Sequence, residues 1–266
     1  PVEVVVAGVK VLQEFAPDAV IAFGGGSALD AAKAIRHFAG ELDGRQTEFV
    51  AIPTTSGTGS EVTSFAVITD QEKGVKYPLV SEALLPDTAI LDSALVRSVP
   101  RPIVADTGMD VLTHALEAYV STEANDFTDA LAEKAISLVF TYLLRSYLDA
   151  EDREAREKMH HASTLAGMAF NQTSLGLNHA MAHVIGGQLG VAHGRTNAML
   201  LPHVIAYNAD MQGFGAGEYS PAAEKYAHAA QLAGLGGSTV RISVRNLINA
   251  ITRLQKQMEM PTRLGQ

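Results

Sequence analysis

The 266-residue sequence contains no cysteine. That excludes disulfides, thiol nucleophiles and every cysteine-based zinc or iron–sulfur site, so any metal must be held by His, Asp or Glu. Positive charge is scarce as well: 20 Lys and Arg stand against 29 Asp and Glu, a net charge of −9. The basic residues form no cluster, which argues against nucleic acid or anionic lipid as a partner. No apolar run approaches the roughly 18 residues that cross a bilayer, and Pro1-Val2-Glu3 has neither the basic start nor the cleavage site of a secretory signal. A soluble, cytoplasmic protein is expected. Internal repeats, low-complexity tracts and long linkers are also missing. What is present is a composition of 47% hydrophobic and 18% charged residues, enough to bury a substantial core in one large domain or two ordinary ones.

The pattern of the chain changes near Pro100. Before it, short β-branched runs alternate with glycine-rich turns and helical stretches. A helix is expected at about 3–15, a buried strand at 18–23, a helix at 27–38, and further strands at 48–52, 64–69 and 88–91. About four strands are fewer than an open parallel sheet ordinarily has, which suggests that sequence of this domain is absent upstream. After Pro100 only helical periodicity remains, at about 102–121, 126–148, 151–171, 175–190, 196–208, 221–232 and 238–258, with Pro221 in a first turn and Ser238 as an N-cap. The expected architecture is α/β plus all-α, divided into residues 1–99 and 100–266, with a ligand cleft between the parts.

Two loops of the first part can hold a nucleotide. Gly24, Gly25 and Gly26 join a strand to a helix beginning near Ser27, whose free N–H groups and positive dipole end suit a phosphate. A tight turn capped by Ser27, with Asp30 completing a capping box, explains the same residues about equally well, and the Gly-x-Gly-x-x-Gly fingerprint is not present. The second loop, from Pro53 to Glu61, carries five hydroxyls and two glycines in nine residues at the carboxyl end of a strand, where α/β sheets collect ligands.

In the helical part Asp110 and His114 are four residues apart on one face of a largely apolar helix, and His179 and His183 repeat that spacing on another. His193 follows ten residues later, before Gly194. Three imidazoles and one carboxylate from separate elements could close around a divalent ion, with one histidine outside the shell. Ala180 stands where zinc peptidases place their glutamate, and no other carboxylate lies between Leu175 and Arg195, so hydrolysis lacks its base. His37, His160, His161, His203 and His228 show no partnering pattern and read as structural or exposed. Glu61 and Glu117 could support a ligand from behind, but loop solvent and helix surface are the expected places for them.

The glycine loop, the hydroxyl loop, Gly108-Met-Asp-x-x-x-His114 and His179-x-x-x-His183 followed by His193-Gly194 occur together in one family. The chain resembles the iron-containing (group III) alcohol dehydrogenases, including those encoded with ethanolamine- and propanediol-utilisation systems. That resemblance implies a partial Rossmann-like nucleotide-binding domain followed by an all-helical metal-binding domain, a dehydroquinate synthase-like architecture. It implies Asp110, His114, His179 and His193 as metal ligands, with His183 near nicotinamide and substrate. It assigns Gly25, Gly26, Ser27 and Asp30 to the pyrophosphate turn, Thr54, Thr55, Thr58 and Thr63 to the rest of the cofactor path, and Lys76 to its ribose. The family's first strands and the end of its helical domain are missing from this sequence.

The implied activity is hydride transfer between NAD (or NADP) and a short primary alcohol or aldehyde, assisted by Fe²⁺ (or Zn²⁺), in a homo-oligomer that can accompany a bacterial microcompartment. The alternatives are a metal-dependent hydrolase or lyase using the same cluster, and a truncated chain that is not catalytic.

Overall fold

A computed structural model describes residues 1–70, 75–211 and 219–263, with the Lys76 side chain outside that set. Helix α1 (Val2–Phe15) leads into strand β1 (Ala19–Gly24), helix α2 (Gly26–Asp43) and strand β2 (Glu48–Pro53). A hydroxyl-rich loop with one 3-10 turn (Ser60–Val62) precedes β3 (Phe65–Asp70) and β4 (Val75–Val80), and β5 is the two-residue Thr88–Ala89. From there on the described residues contain helices only: α3 (Arg101–Val120), α4 (Asp126–Leu148), α5 (Arg153–Thr173), α6 (Leu177–Leu189), α7 (His193–Asn208), α8 (Pro221–Leu232) and α9 (Val240–Gln257). The architecture is α/β plus all-α, and no helix among the described residues is long and apolar enough to cross a membrane.

The sheet departs from expectation in two ways. Among the described residues only β1, β2 and β5 pair in parallel, in the order β1-β2-β5. β3 leaves them and pairs antiparallel with β4, a strand the sequence did not suggest. Pro78 sits opposite Val67 there, and a residue without an N–H is tolerated because a two-stranded ribbon consists of edge strands. β1 is also not buried on both faces. Ala22 packs with Leu29, Phe49 and Ala51, whereas Ile21 and Phe23 are 65% and 60% exposed. α2 packs on the first face, so the side-chain alternation of a strand divides β1 into a covered and an open side.

α2 runs five residues beyond its expected end and stops at Gly44, which takes the left-handed conformation (φ 72°) that closes a helix with little strain. α7 begins earlier than expected, with His193 in its first turn, and α9 is capped by the Thr239 hydroxyl rather than by Ser238. Ser220 caps α8 by accepting from the Ala223 N–H, with Pro221 in the first turn as read.

The main core surrounds α3, which is buried almost all round from Val104 to Tyr119. A helix of that kind belongs in the centre of its domain. α4 and α5 pack closely against it: a Cβ on Gly108 would come within 2.1 Å of Leu143 Cδ1. The polar residues of α3 are therefore held inside an apolar frame, where each needs a partner.

Candidate active site

A cavity of about 470 Å³ opens between the α/β part and the helices. One wall carries Gly26, Ser27, Asp30, Thr58 and Thr63, and the other carries Asp110, His114, His179, His183 and His193. Phe65, Phe170 and Leu175 supply apolar lining between them.

The glycine wall is built for a close approach. α2 starts at Gly26 with Gly25 as its N-cap, and no side chain caps it. The capping box is thereby corrected: Ser27 is inside the helix, and Asp30 turns away to accept from Ser60 Oγ at 2.7 Å and the Val67 N–H at 3.0 Å. Uncapped N–H groups at a helix start, beside the cavity, are free for an anion. Burial raises the Asp30 pKa, and the hydrogen bonds from Val67 and Ser60 oppose the shift.

Behind this wall Lys33 is fully buried. Its Nζ donates to the carbonyls of Thr63 (2.6 Å) and Phe65 (2.8 Å) and to Thr63 Oγ1 (3.2 Å). Burial pulls its pKa down to about 8, against the charges of Asp30 and Glu61. Thr58 and Thr63 line the cavity. Thr55 lies behind it against Gly25, and Thr54 donates its N–H to the Gly24 carbonyl. Lys76 pairs with Thr69 in the β3–β4 ladder, but its side chain lies outside the described residues.

A Cβ on Gly26 would come within 2.5 Å of Thr58 Cγ2. The Gly26→Ala variant therefore has to displace Thr58, and the NADH binding that the resemblance implies for this wall is expected to weaken by at least about tenfold, equivalent to about 1.4 kcal/mol. Fluorescence titration measures this, with metal binding unchanged.

The opposite wall gathers side chains from α3, α6 and α7. Asp110, His114 and His179 are buried, and each offers a ligand atom within 4.8 Å of the others'. Asp110 Oδ1 is 3.6 Å from His179 Nε2 and 3.7 Å from His193 Nε2. The ring of His114 stacks on His179 at 4.6 Å and on Phe170 at 4.5 Å. His183 stands beside this group, its ring centroid 5.0 Å from that of His193.

Gly194 explains how α7 reaches α3, since a Cβ there would lie 2.1 Å from the Asp106 carbonyl oxygen. Only glycine lets the two backbones meet, and that contact brings the neighbouring His193 beside Asp110.

Two residues of this wall are corrections to the sequence reading or additions to it. Glu117 was expected on a helix surface but is buried. Its Oε2 is 2.6 Å from His179 Nδ1, and its Oε1 accepts the Asn178 N–H at 2.6 Å. One carboxylate thus orients an imidazole and satisfies the start of α6, whose own N-cap is Gly176 and offers no side chain.

Asn197 was not foreseen. Asn178 Nδ2 donates to its carbonyl (3.2 Å) and to its Oδ1 (2.8 Å). That fixes the amide so that Nδ2 faces Asp110 Oδ1 (2.7 Å), His179 Nε2 (3.0 Å) and His193 Nε2 (3.1 Å). The spacing of four residues after His193 was the available signal.

The donor set fits a divalent cation. Burial would raise the Asp110 pKa, but His114, His193 and His179 hold its carboxyl well below the usual range. Burial pushes His114 down to about 3, so its ring is neutral with lone pairs to offer, and its Nδ1 is buried without a hydrogen-bond partner. His179 moves the other way: burial disfavours its charge, yet hydrogen bonds to Asp110 and Glu117 raise its pKa to about 9. Two buried carboxylates make a place that favours positive charge: without a cation they keep a proton on His179, and a divalent ion that displaces that proton would meet the nitrogen and oxygen donors that iron and zinc accept. Glu117 behind His179 is the kind of outer partner that metal-binding histidines use.

Glu61 and His160 lie outside this cluster and were expected in solvent or without partners; both are buried. Glu61 accepts from Thr164 Oγ1 at 2.7 Å, and burial raises its pKa. His160 Nδ1 lies 3.0 Å from Ser56 Oγ, and burial, then the charge of His161, lower its pKa from 6.5 to about 4. Between those values the unfolded chain binds more protons than the folded one, so the His160 contribution to stability is present above pH 6.5 and lost as the pH falls through about 4. Thermal melts of the metal-free protein over that interval should fall less steeply for His160→Gln than for the unaltered chain.

Comparison with known proteins bears on both walls. Residues 104–266 match the family described as Fe-containing alcohol dehydrogenase, C-terminal, and residues 1–93 match iron-containing alcohol dehydrogenase. The chain is 53% identical to the 1-propanol dehydrogenase of Citrobacter freundii over 263 residues, covering 98% of this chain and 69% of that protein. Its fold superposes on the crystal structure of 1,3-propanediol oxidoreductase with a TM-score of 0.88 at 38% identity, covering 98% of this chain and 69% of the other. Sulfoacetaldehyde reductase from Bifidobacterium kashiwanohense, solved in complex with NAD⁺, gives 0.85 at 32% identity, covering 98% and 68%. The chain spans about two thirds of the length of these relatives.

Proposed function

The chain belongs to the iron-containing alcohol dehydrogenase family, and from that premise we propose that it exchanges a hydride between NAD and a short primary alcohol or aldehyde at the cavity between its two walls. The observation that carries this reading is the grouping of Asp110, His114 and His179, with His193 Nε2 3.7 Å from Asp110 Oδ1, opposite the uncapped start of α2 across one cavity. In this assignment residues 1–99 supply the nucleotide half and residues 100–266 the metal half. Iron belongs with Asp110, His114, His179 and His193, and NAD with Gly25, Gly26, Ser27, Asp30, Thr54, Thr55, Thr58, Thr63 and Lys76.

Asp110, His114, His179 and His193 would hold a ferrous ion, which would supply Lewis-acid polarisation of the substrate's hydroxyl or carbonyl group. The protein's own residues do the rest. The N–H groups at Gly26 and Ser27 bind the cofactor's pyrophosphate and fix where its nicotinamide lies. Phe65, Phe170 and Leu175 exclude water from the reacting carbon. Bound NAD would accept the hydride from the alcohol's carbon, and the imidazole of His183 would take the hydroxyl proton and hand it to solvent. In the reductive direction the same proton returns. Glu117 orients His179 from behind and touches no reactant, whereas the Asn197 amide, which faces Asp110 Oδ1 and both Nε2 atoms, would have to yield those lone pairs to the ion.

Self-association in the cytoplasm belongs to the same reading. Val6, Val11, Phe15 and Leu42 leave an apolar surface on α1 and α2 that a second copy would cover.

The direct test is oxidation of NADH by propanal after chelation and after adding Fe²⁺ back. The reading expects the rate to vanish on chelation and to return with the metal. An unchanged rate after chelation contradicts it.

A further inference from the structure

The hydroxyl loop between β2 and β3 touches the helical part at Thr107 of α3, through Gly57, and along a row of residues on α5. His160, Thr164, Gly167 and Asn171 are spaced four, three and four residues apart, which places them on one face of the helix. Each meets a different point of the loop. His160 Nδ1 is 3.0 Å from Ser56 Oγ, and Thr164 Oγ1 donates to Glu61 Oε1 at 2.7 Å. Asn171 Oδ1 accepts both the Ser64 N–H (2.8 Å) and Ser64 Oγ (3.0 Å). At Gly167 the backbones themselves meet. A Cβ on Gly59 would lie 2.7 Å from Gly167 Cα, and one on Gly167 would lie 2.9 Å from Gly59 Cα. Gly59 also takes the left-handed conformation (φ 62°), so glycine is required there twice over.

The other side of the same loop is tied to α2, through Ser60 to Asp30 and through the Thr63 and Phe65 carbonyls to Lys33. α2 is the helix whose start faces the cavity. α5 in turn carries Phe170, next to Asn171, against the ring of His114. A chain of direct contacts therefore runs from the start of α2, through the loop, to α5 and the carboxylate–imidazole wall.

We propose that the α5 face formed by His160, Thr164, Gly167 and Asn171 is a positioning element that sets the distance between the bound nicotinamide and the metal-bearing wall. It rests on the hydride-transfer reading above. These residues lie outside the cavity lining and touch neither reactant. They act by holding two binding surfaces in register, and hydride transfer is sensitive to such registry because a misplacement of about 1 Å can cost on the order of 10²-fold in rate.

Three variants of the iron-loaded protein separate this role from simple support of the fold. Thr164→Val removes the hydroxyl that meets Glu61 at nearly constant volume, Thr164→Ser keeps it, and Gly167→Ala forces α5 and the loop apart. The readouts are the stopped-flow rate of NADH oxidation by propanal, the same rate with NADH deuterated at the nicotinamide C4, NADH affinity, iron content and melting temperature.

The expected result is a hydride-transfer rate about 10–100-fold lower in Thr164→Val and Gly167→Ala, with the isotope effect fully expressed and near-normal rates in Thr164→Ser. NADH affinity and iron content stay within about twofold of the unaltered protein, less than 0.5 kcal/mol. Hydride transfer at the unaltered rate in Thr164→Val, with only a lower melting temperature, overturns the proposal, as does a loss fully accounted for by weaker NADH binding or missing iron. Should Gly167→Ala not fold, the Thr164 pair decides alone. Absence of NADH-linked turnover in the unaltered iron-loaded protein overturns the underlying reading instead, and is told apart because no variant is needed to see it.

Discussion

Replacing Asp110 by alanine is expected to lower kcat/KM for aldehyde reduction by at least about 10³-fold, equivalent to about 4 kcal/mol of transition-state stabilisation. Asp110 is the one carboxylate among the four candidate ligands, and it is buried. Its Oδ1 is the point on which the wall converges, accepting from Asn197 Nδ2 at 2.7 Å and lying 3.6 Å and 3.7 Å from His179 and His193. Without it the three imidazoles keep only the Glu117 carboxylate, behind His179, as a nearby negative charge, and a divalent cation loses both a ligand and much of the local attraction. Iron analysis after gel filtration should therefore show a metal-poor protein. Circular dichroism should show that the helices persist, because the apolar packing around α3 does not depend on this side chain.

Glu117→Gln is the second substitution with a large expected effect, and it acts without touching any ligand position of the metal. The amide keeps the side chain's length and can still accept from the Asn178 N–H, so the start of α6 remains satisfied. What it removes is the negative charge 2.6 Å from His179 Nδ1. That charge fixes which imidazole nitrogen carries the proton and strengthens the other as a donor, and losing an outer partner of this kind typically costs 10–100-fold in metal affinity. Titration of the metal-free variant with Co²⁺ or Zn²⁺ should show that loss, while the rate at saturating metal falls much less. Glu117→Ala goes further. It leaves the buried Asn178 N–H unpaired as well, at a cost of about 1–3 kcal/mol in folding stability.

The candidate site was legible where local periodicity carries the information. Asp110 with His114, and His179 with His183, share helix faces because of a spacing of four, and His193-Gly194 stood out as a pair before the reason for the glycine was visible. Glu117 obeys the same periodicity, three residues beyond His114, yet a glutamate near a helix end ordinarily belongs to the surface. Its burial follows from α6 arriving overhead, which no local pattern encodes. Asn197 is silent for a similar reason: an asparagine within a helix is commonplace, and its partners come from α3, α6 and its own helix at once.

In the fold, helices were read to within a few residues, whereas strand partnership was not. β3 looks like a further member of a parallel sheet, because its residues cannot reveal that it pairs with β4 instead. β4 itself is disguised by Lys76 and Pro78, residues that mark edges and loops more often than strands. The row on α5 was equally hidden, since its meaning lies in the loop it touches, about a hundred residues earlier in the chain.

The claim on which the account rests is that one carboxylate and three imidazoles from α3, α6 and α7 grip a single ion. X-ray absorption at the iron edge of the Fe²⁺-loaded protein measures this directly. The account predicts a low-atomic-number shell of nitrogen and oxygen at about 2.0–2.2 Å, with the outer-ring scattering of three imidazoles, reduced to two in His193→Ala. A spectrum with no imidazole scattering, or one that His193→Ala leaves unchanged, contradicts it.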